Sequence, residues 1–526
     1  MVESMLHIDK RCCGSKRAVV SDEKQVLRRM TRAELRGADR LYRRATIDAL
    51  PDNVLLETFG FYLGKGDPHE INSHKYYEWQ KLVHVCHRWR CIVLASPRRL
   101  DLKIYCFWTP RRSVSSKTLD IWPALPIVIH AQDVLSGEGV STIIAALRHH
   151  NRVCKIYYHH RGFQDSLLKE FAAIDGPFPV LTSLALFSFA KNVPILPDSF
   201  LGGSAPRLRS LALYGIPYPS IGKLLPSTTN LVHLSLCGIP HSGYISPETI
   251  VPCLSTLSRL ESIRLEFRFP RSQAHRASRH PPPLTHVVFP NLTSLHFRGD
   301  IEYLEDIQSQ IETPVLNKTY LTFFNQLVFD TPLLGHFIRR TGAFMTIHTA
   351  HIEFFSSYVG VTLSGQEEMD DNNTETLDLD LRISCKPLDW QLSALAQVLN
   401  SLLSSLPTLE SLKITVPRED WQGDIEATQW QELLHPFISV KEMTLVREVS
   451  ARLIAPFLQE LSASGEGATE VLPALQDLSF DVGYWLRSGP VDAAIDQFAT
   501  TRRFYGHPFN LRFYDNESEE WVSEGR

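Results

Sequence analysis

Several things are missing from this 526-residue chain, and each absence removes a class of protein. No stretch approaches the roughly 18 consecutive apolar residues of a membrane-spanning helix. The N-terminal MVESMLHIDKRCC lacks the apolar heart of a secretion signal. No Cys-x-x-Cys pair occurs among the nine cysteines, at 12, 13, 86, 91, 106, 154, 237, 253 and 385, and most of them sit inside apolar patterns. That usage reads as reduced, buried thiols in a cytoplasmic or nuclear protein. An excess of one charge is also lacking: 54 Lys and Arg stand against 58 Asp and Glu, so nothing points to nucleic acid. There is no G-x-S-x-G elbow, no G-x-x-x-x-G-K-[ST] phosphate loop and no paired-carboxylate motif. The expectation is a protein that is not an enzyme, with no cofactor, no metal and no membrane partner. His84, His87 and Cys91, and the denser group His149, His150, Cys154, His159 and His160, have ligand-like spacing but read as core or surface residues.

What is present is a 44% hydrophobic, 21% charged composition, enough for a large core. Two amphipathic helical patterns lie between Asp48 and Pro97. The first opens with Leu50-Pro51 and carries Val54, Leu55, Leu56, Phe59 and Tyr62. Proline suits a helix start because its missing N–H has no partner there anyway, and Asp52 complements the positive helix end. Gly64, Gly66 and Pro68 stop this helix. The second places Trp79, Leu82, Val83, Cys86, Trp89 and Val93 on one face of a single helix, ended by Ser96-Pro97. Such a span buries too little surface to stand alone and leans on a partner.

The ordered combination of the Leu-Pro start, the run Leu82-Val83-x-Val85-Cys86-x-x-Trp89-Arg90 and the Ser96-Pro97 end resembles an F-box. With Arg98-Arg99-Leu100 it is most similar to F-box proteins of mushroom-forming fungi (basidiomycetes). The resemblance implies docking on a Skp-type adaptor, and through it a cullin, by Leu50, Pro51, Val54, Leu55, Phe59, Leu82, Val85, Cys86 and Trp89.

Past the box the period changes. Arg99–Ile104 alternates as a strand does, and then an apolar signature at i, i+3 and i+5 recurs. Clear copies are Leu181/Leu184/Leu186, Leu208/Leu211/Leu213, Leu231/Leu234/Leu236, Leu260/Ile263/Leu265, Leu292/Leu295/Phe297, Leu409/Leu412/Ile414, Val440/Met443/Leu445 and Leu475/Leu478/Phe480. First positions at 181, 208, 231, 260 and 292 give steps of 27, 23, 29 and 32 residues. Weaker copies are Trp122/Leu125/Ile127, Val153/Ile156/Tyr158, Phe324/Leu327/Phe329, Ile347/Ala350/Ile352 and Thr374/Leu377/Leu379. Stretches of helical spacing lie between, as in VSTIIAALRHH and ARLIAPFLQELSAS. This resembles leucine-rich repeats, in which each unit pairs a strand with a returning helix and only stacked neighbours make a core. The asparagine that usually follows three residues after the last aliphatic is replaced by Phe189, Ile216 and Ile239, so the turns need other hydrogen-bond partners.

The expected organisation is a tail and basic polar helix over 1–47, the box over 48–97, and an irregular α/β repeat solenoid over 98–526 with parallel strands inside and helices outside. A basic, proline-rich insert (268–286) and an acidic one (365–378) read as loops, and NESEEWVSEGR as an exposed polar end. The expected function is the substrate-recognition subunit of a Skp-cullin-F-box ubiquitin ligase, the repeats binding an unidentified protein target. The side chains between the apolar strand positions, such as Thr182, Ser183, Arg209, Ser210, Val232 and His233, are the expected target contacts. The alternative is a leucine-rich-repeat scaffold outside any ligase.

Overall fold

The computed structural model describes residues 47–63, 78–107, 119–120, 125–132, 137–160, 169–170, 173–174, 176–270, 286–365, 378–416, 425–515 and 520–523, with short gaps inside the longer spans. The expected N-terminal basic helix and most of both inserts lie outside the described residues. The chain divides into two compact units, Met1–Leu102 and Lys103–Arg526.

In the first unit a 3-10 turn at Ile47–Ala49 leads into α1 (Asp52–Leu63), followed by α2 (Glu78–Val83) and α3 (His87–Ala95). The single helix expected over the second pattern is two. Cys86 takes an extended conformation (φ −156°, ψ 172°), and its thiol accepts from the Trp89 N–H at 3.5 Å, so it caps α3. Arg90 Nε donates to the Val83 carbonyl at 2.9 Å, occupying an acceptor that the broken helix leaves open.

The second unit is built on one large sheet, 17-stranded among the described residues. Its strands are β1 (Ile104–Phe107), β2 (Ile127–Gln132), β3 (Val153–His160), β4 (Ser183–Ser188), β5 (Ser210–Tyr214), β6 (His233–Ile239) and β7 (Ser262–Phe267). A small parallel pair, β8 (Val287–Val288) with β10 (Ile311–Glu312), stands apart from it. The main sheet continues through β9 (Ser294–Gly299), β11 (Lys318–Phe323), β12 (Thr349–Phe354), β13 (Val359–Ser364), β14 (Asp378–Ile383), β15 (Ser411–Thr415), β16 (Glu442–Val446), β17 (Asp477–Asp481), β18 (Asn510–Asp515) and β19 (Glu520–Ser523). Connecting helices are α4 (Gly137–Leu147), α5 (Ile221–Leu224), α6 (Pro247–Leu254), α7 (Ile301–Gln308), α8 (Pro332–Arg340), α9 (Leu388–Leu403), α10 (Ala427–Leu434), α11 (Glu448–Ala463), α12 (Gly467–Glu470) and α13 (Pro490–Phe504). The unit is an α/β leucine-rich-repeat-like solenoid, one sheet layer backed by stacked helices.

Register follows the signature. Ile156, Leu184, Leu211, Leu234, Ile263 and Leu295 are paired in succession from β3 to β9, and Leu412, Met443, Leu478 and Leu511 from β15 to β18. All are buried, so each column is a continuous apolar seam shared between neighbouring repeats. Beneath it runs a backbone ladder. At most joints the carbonyl just after the first apolar position accepts two successive N–H groups of the next repeat, as Thr182 does from Arg209 and Ser210, and Arg209 from Val232 and His233. Val232, Glu261, Thr293, His348, Glu410 and Lys441 repeat the pattern, with N···O distances between 2.7 and 3.2 Å.

Three copies read from the sequence are displaced. Strand β11 uses Leu316, Thr319 and Leu321, all buried, while Leu327 is 83% exposed and Phe324–Phe329 forms no strand. The threonine in the middle hides the true copy. Strand β2 buries Ile127, Ile129 and Ala131, later than Trp122/Leu125/Ile127. Strand β14 buries Leu379, Leu381 and Ile383, not Leu377 and Leu379 as its final pair. The strand expected at 99–104 begins only at Ile104, because 98–101 forms a turn with Asp101 at φ 50°.

Spatial order also breaks once. β14 pairs with β11 in parallel, β13 is antiparallel to both β14 and β12, and β12 pairs in parallel with β15. The chain therefore runs through α8 to a distant place in the sheet and fills the gap backwards with a hairpin. It leaves through the 16-residue α9, about 24 Å long at 1.5 Å per residue. Gln397 of α9 accepts the Phe329 N–H at 3.0 Å, and Glu305 of α7 takes the Leu333 and Leu334 N–H groups at 2.9 Å, capping α8 from a neighbour. At the far end β19 pairs antiparallel with β18, so the polar terminus extends the sheet.

The missing asparagine is replaced at two places. Just after β5 the chain turns at Gly215 (φ 67°), and near the end of β6 it bends at Gly238 (φ 59°), with the Gly215 N–H on the Cys237 carbonyl at 2.8 Å. Ahead of the strands, Asn230 and Asn291 donate to the carbonyls of Pro206 and Ser258 at 2.9 and 2.8 Å. A Cβ on Gly215 would sit 2.3 Å from the Ser188 carbonyl oxygen, whereas Gly203, also left-handed (φ 65°), has open space around it. Gly203→Ala is expected to lose about 1–2 kcal/mol from the left-handed backbone alone, and Gly215→Ala measurably more, by urea unfolding monitored with circular dichroism.

Candidate functional site

Two surfaces stand out, one on each unit. In the first unit Leu55, Phe59, Trp79, Leu82, Val83, Ile92 and Val93 are buried, and the Phe59 and Trp89 rings meet at 4.7 Å. Leu55, Phe59 and Leu82, expected as adaptor contacts, are at most 6% exposed and instead hold the three helices together. Trp89 is half-buried against Phe59, and Cys86 is spent on its cap. What remains open of the expected set is Pro51, Val54 and Val85, with Leu50 half-buried. Arg88 fixes this region: its guanidinium donates to the Leu50 carbonyl and to Asp52 Oδ1, both at 2.6 Å, tying the first turn of α3 to the Leu-Pro segment. Pro51, Val54, Thr58 and Phe61 then form an outward stripe along α1, since steps of three and four residues return to one helix face. Phe61 is 85% exposed and was not picked out from sequence. Its signal was the spacing to Val54, masked by the inward pattern of Leu55, Leu56 and Phe59.

The second surface is the sheet face opposite the apolar seam. On β2 to β5 it carries a run of rings, in register from His130 to Tyr157 and from Phe187 to Tyr214 and stepping two residues between them. His130 stacks on Tyr157 at 4.7 Å, and Tyr157 meets Phe187 at 5.6 Å. Phe187 meets Tyr214 at 6.2 Å, while Phe189 lies 4.9 Å from Tyr214 and 5.6 Å from His159. From β7 onward the same face turns polar and charged. Arg264 pairs with Glu266 at 2.6 Å, Arg382 with Asp380 at 2.7 Å, and Arg512 reaches Asp477 at 3.1 Å and Glu442 at 3.3 Å. His296 stacks on Tyr320 at 4.2 Å, and burial holds its imidazole below the ordinary histidine range.

Of the expected target contacts, only Ser183, Ser210 and His233 lie on this face. Val232 is 8% exposed and Thr182 Oγ1 donates to the Cys154 carbonyl at 2.9 Å, so both belong to the joint between repeats. The rings sit two and four positions further along each strand, where the search for leucine overlooked them.

Among the described residues, the histidine groups are not brought to a common point. Cys91 Sγ lies 3.7 Å from His87 Nδ1 on one helix flank. His150 Nδ1 is 2.8 Å from the Pro177 carbonyl, Cys154 donates to the Ile127 carbonyl at 3.3 Å, and His159 packs among rings. Among the described residues no helix is long and apolar enough to cross a membrane. Burial pushes the Cys106 thiol up to about 12, which keeps it protonated and unreactive.

No family model matches the chain, and no curated protein matches it. Among solved structures it is similar to the leucine-rich repeat-containing protein LegL7 from Legionella pneumophila, at 13% identity, covering 66% of this chain and 97% of that one with a TM-score of 0.25.

The division between packing and open side chains in the first unit is measurable. Phe59→Ala is expected to lose about 3–5 kcal/mol and to speed amide hydrogen exchange through α1 and α3. Phe61→Ala is expected to stay within about 0.5 kcal/mol and leave exchange unchanged. Mass-spectrometric alkylation mapping is expected to label exposed Cys91 in the native protein and buried Cys106 only after denaturation.

Proposed function

We propose that the chain is the substrate-recognition subunit of a Skp-cullin-F-box ubiquitin ligase, its first unit docking on a Skp-type adaptor and its repeat unit holding a protein target. The observation that carries this reading is the open apolar stripe Pro51, Val54 and Phe61 on α1, with Val85 in the α2–α3 turn. Apolar side chains of this size exposed on a three-helix unit mark a partner site. The ordered Leu-Pro, Cys-x-x-Trp-Arg and Ser-Pro features supply the identity of that partner. The repeat unit supports the other half of the reading, because stacked repeats offer a long side-chain-lined face with no chemistry of its own. The chain's contribution is positioning: held near the conjugating enzyme, a target lysine reacts at raised local concentration.

The site would act through few residues. Leu50 and Pro51 lie at the rim, and Val54, Phe61 and Val85 present the area that aliphatic and aromatic anchors need. Arg88 is a positioning residue, acting through the Leu50 carbonyl rather than by touching the partner.

A pull-down with purified Skp-type adaptor tests this. The wild-type chain is expected to be retained, and the Leu50→Ala/Pro51→Ala and Phe61→Asp variants to lose at least tenfold in binding while keeping their melting transitions. No retention of the wild type, or equal retention of the variants, overturns the assignment.

A further inference from the structure

The ring ridge on β2 to β5 differs in kind from the rest of its face. It crosses four adjacent strands, about 14 Å at the usual strand spacing. Beside it, on β4 to β6, the face falls to Ala185, Ala212 and Ser235, which the register places in line between Tyr157 and Arg264. The span from β3 to β7 is four strand spacings, roughly 19 Å, the length of about six extended residues. These strands are paired on both edges, so a ligand here meets side chains and not a free strand edge.

Charge decides what the rings accept. Aromatic faces take a cation or an apolar group equally well in principle. Here a cation is disfavoured, because Lys155 stands exposed at one end of the span and Arg264 at the other. Glu266 is the one carboxylate among the outward positions of β3 to β7, and it is paired with Arg264 at 2.6 Å. A nucleic acid would need a basic stripe, whereas the outward positions of these strands hold only two fixed cations in a chain of net charge −4.

We infer that the sheet face formed by His130, Tyr157, Phe187 and Tyr214, flanked by Lys155 and Arg264, binds an extended acidic peptide segment bearing aromatic or proline side chains. Its rings stack on the ridge and a carboxylate meets exposed Lys155, while the Arg264–Glu266 pair closes the other end of the span. The inference deepens the receptor reading, since it names the chemistry of the target segment, and it rests on that reading only for the identity of the complex in which binding matters.

The test uses the full-length protein and a phage-displayed library of random dodecapeptides. Selected peptides are expected to be enriched in Asp and Glu together with Phe, Tyr, Trp or Pro. They are expected to bind the Tyr157→Ala and Ala212→Glu variants at least tenfold more weakly by fluorescence polarisation. Both variants change outward positions, and an unchanged melting transition confirms that they fold; Lys155→Glu/Arg264→Glu is expected to turn the preference toward Lys and Arg. The inference is overturned by an absence of selected peptides, by peptides without acidic bias, by undiminished binding to folded Ala212→Glu, or by tighter binding of a dodecauridine oligonucleotide. The Leu50→Ala/Pro51→Ala variant is expected to bind the selected peptides as the wild type does. Adaptor docking and peptide recognition can therefore fail separately.

Discussion

Most repeats described in the second unit share one contact: a carbonyl, just past the first buried apolar residue, receiving two consecutive N–H groups from the next repeat. This contact sets the step between strands and fixes the register, and with it the face on which each side chain emerges. A slip by one residue would turn Leu211 and Leu213 outward and bring Ala212 and Tyr214 into the core, exchanging the two faces at once. The apolar seam reinforces the ladder, because a buried leucine contributes roughly 1.5–3 kcal/mol only when the neighbouring repeat covers it. Neither element works alone. Their mutual dependence makes the unit a stack and leaves its outer side chains free to vary.

That freedom is used unevenly along the sheet. In the first half the outward positions carry rings that pack on one another, and in the second half they carry ion pairs that neutralise one another. Arg382 with Asp380 and Arg512 with Asp477 and Glu442 are cross-strand or same-strand pairs that satisfy charge within the protein. Exposed pairs of this kind add little stability, on the order of 0–1 kcal/mol each. Their effect is to make the second half self-sufficient, while the ring ridge retains apolar surface. At the last repeats a different device appears. Arg502 is fully buried, donates to the carbonyls of Leu475, Leu472 and Pro473 at 3.1–3.3 Å, and lies 5.7 Å from the Phe498 and Phe509 ring centres. Burial lowers its pKa to about 10, so it stays charged and ties α13 to the turn that leads into β17.

The legible part of the fold was the part written in side chains. The columns through Leu184, Leu211, Leu234, Ile263 and Leu295, and through Leu412, Met443 and Leu478, could be read because burial demands an aliphatic at each position. The ladder was invisible, since a carbonyl accepts equally from Thr182, Arg209, Val232 or Glu261. That is also why the residues first assigned to recognition include members of the joint. The copy at Leu316 was missed because Thr319 is buried with its hydroxyl, and the hairpin at β12–β13 because antiparallel and parallel strands alternate alike. Spatial order leaves no mark on a period of two. The rings of the open face were in plain sight at Tyr157, Phe187 and Tyr214, yet a pattern search keyed to leucine passes over whatever lies between.

In the first unit the sequence mixed two kinds of apolar residue that only geometry separates. Leu55 and Phe59 lie on the inward stripe of α1, and Val54 and Phe61, one and two residues from them, lie on the outward one. A hydrophobic count treats them as one set, although removing the first kind opens the core and removing the second leaves it closed. Arg88 shows why the outward stripe has a defined shape. Without its bonds to the Leu50 carbonyl and Asp52, the Leu-Pro segment would be free to reorganise, at the cost of ordering it again in the proposed docking. In the proposed docking, an arginine bonded within its own small unit would therefore act before the adaptor arrives, by lowering the entropy that binding must overcome.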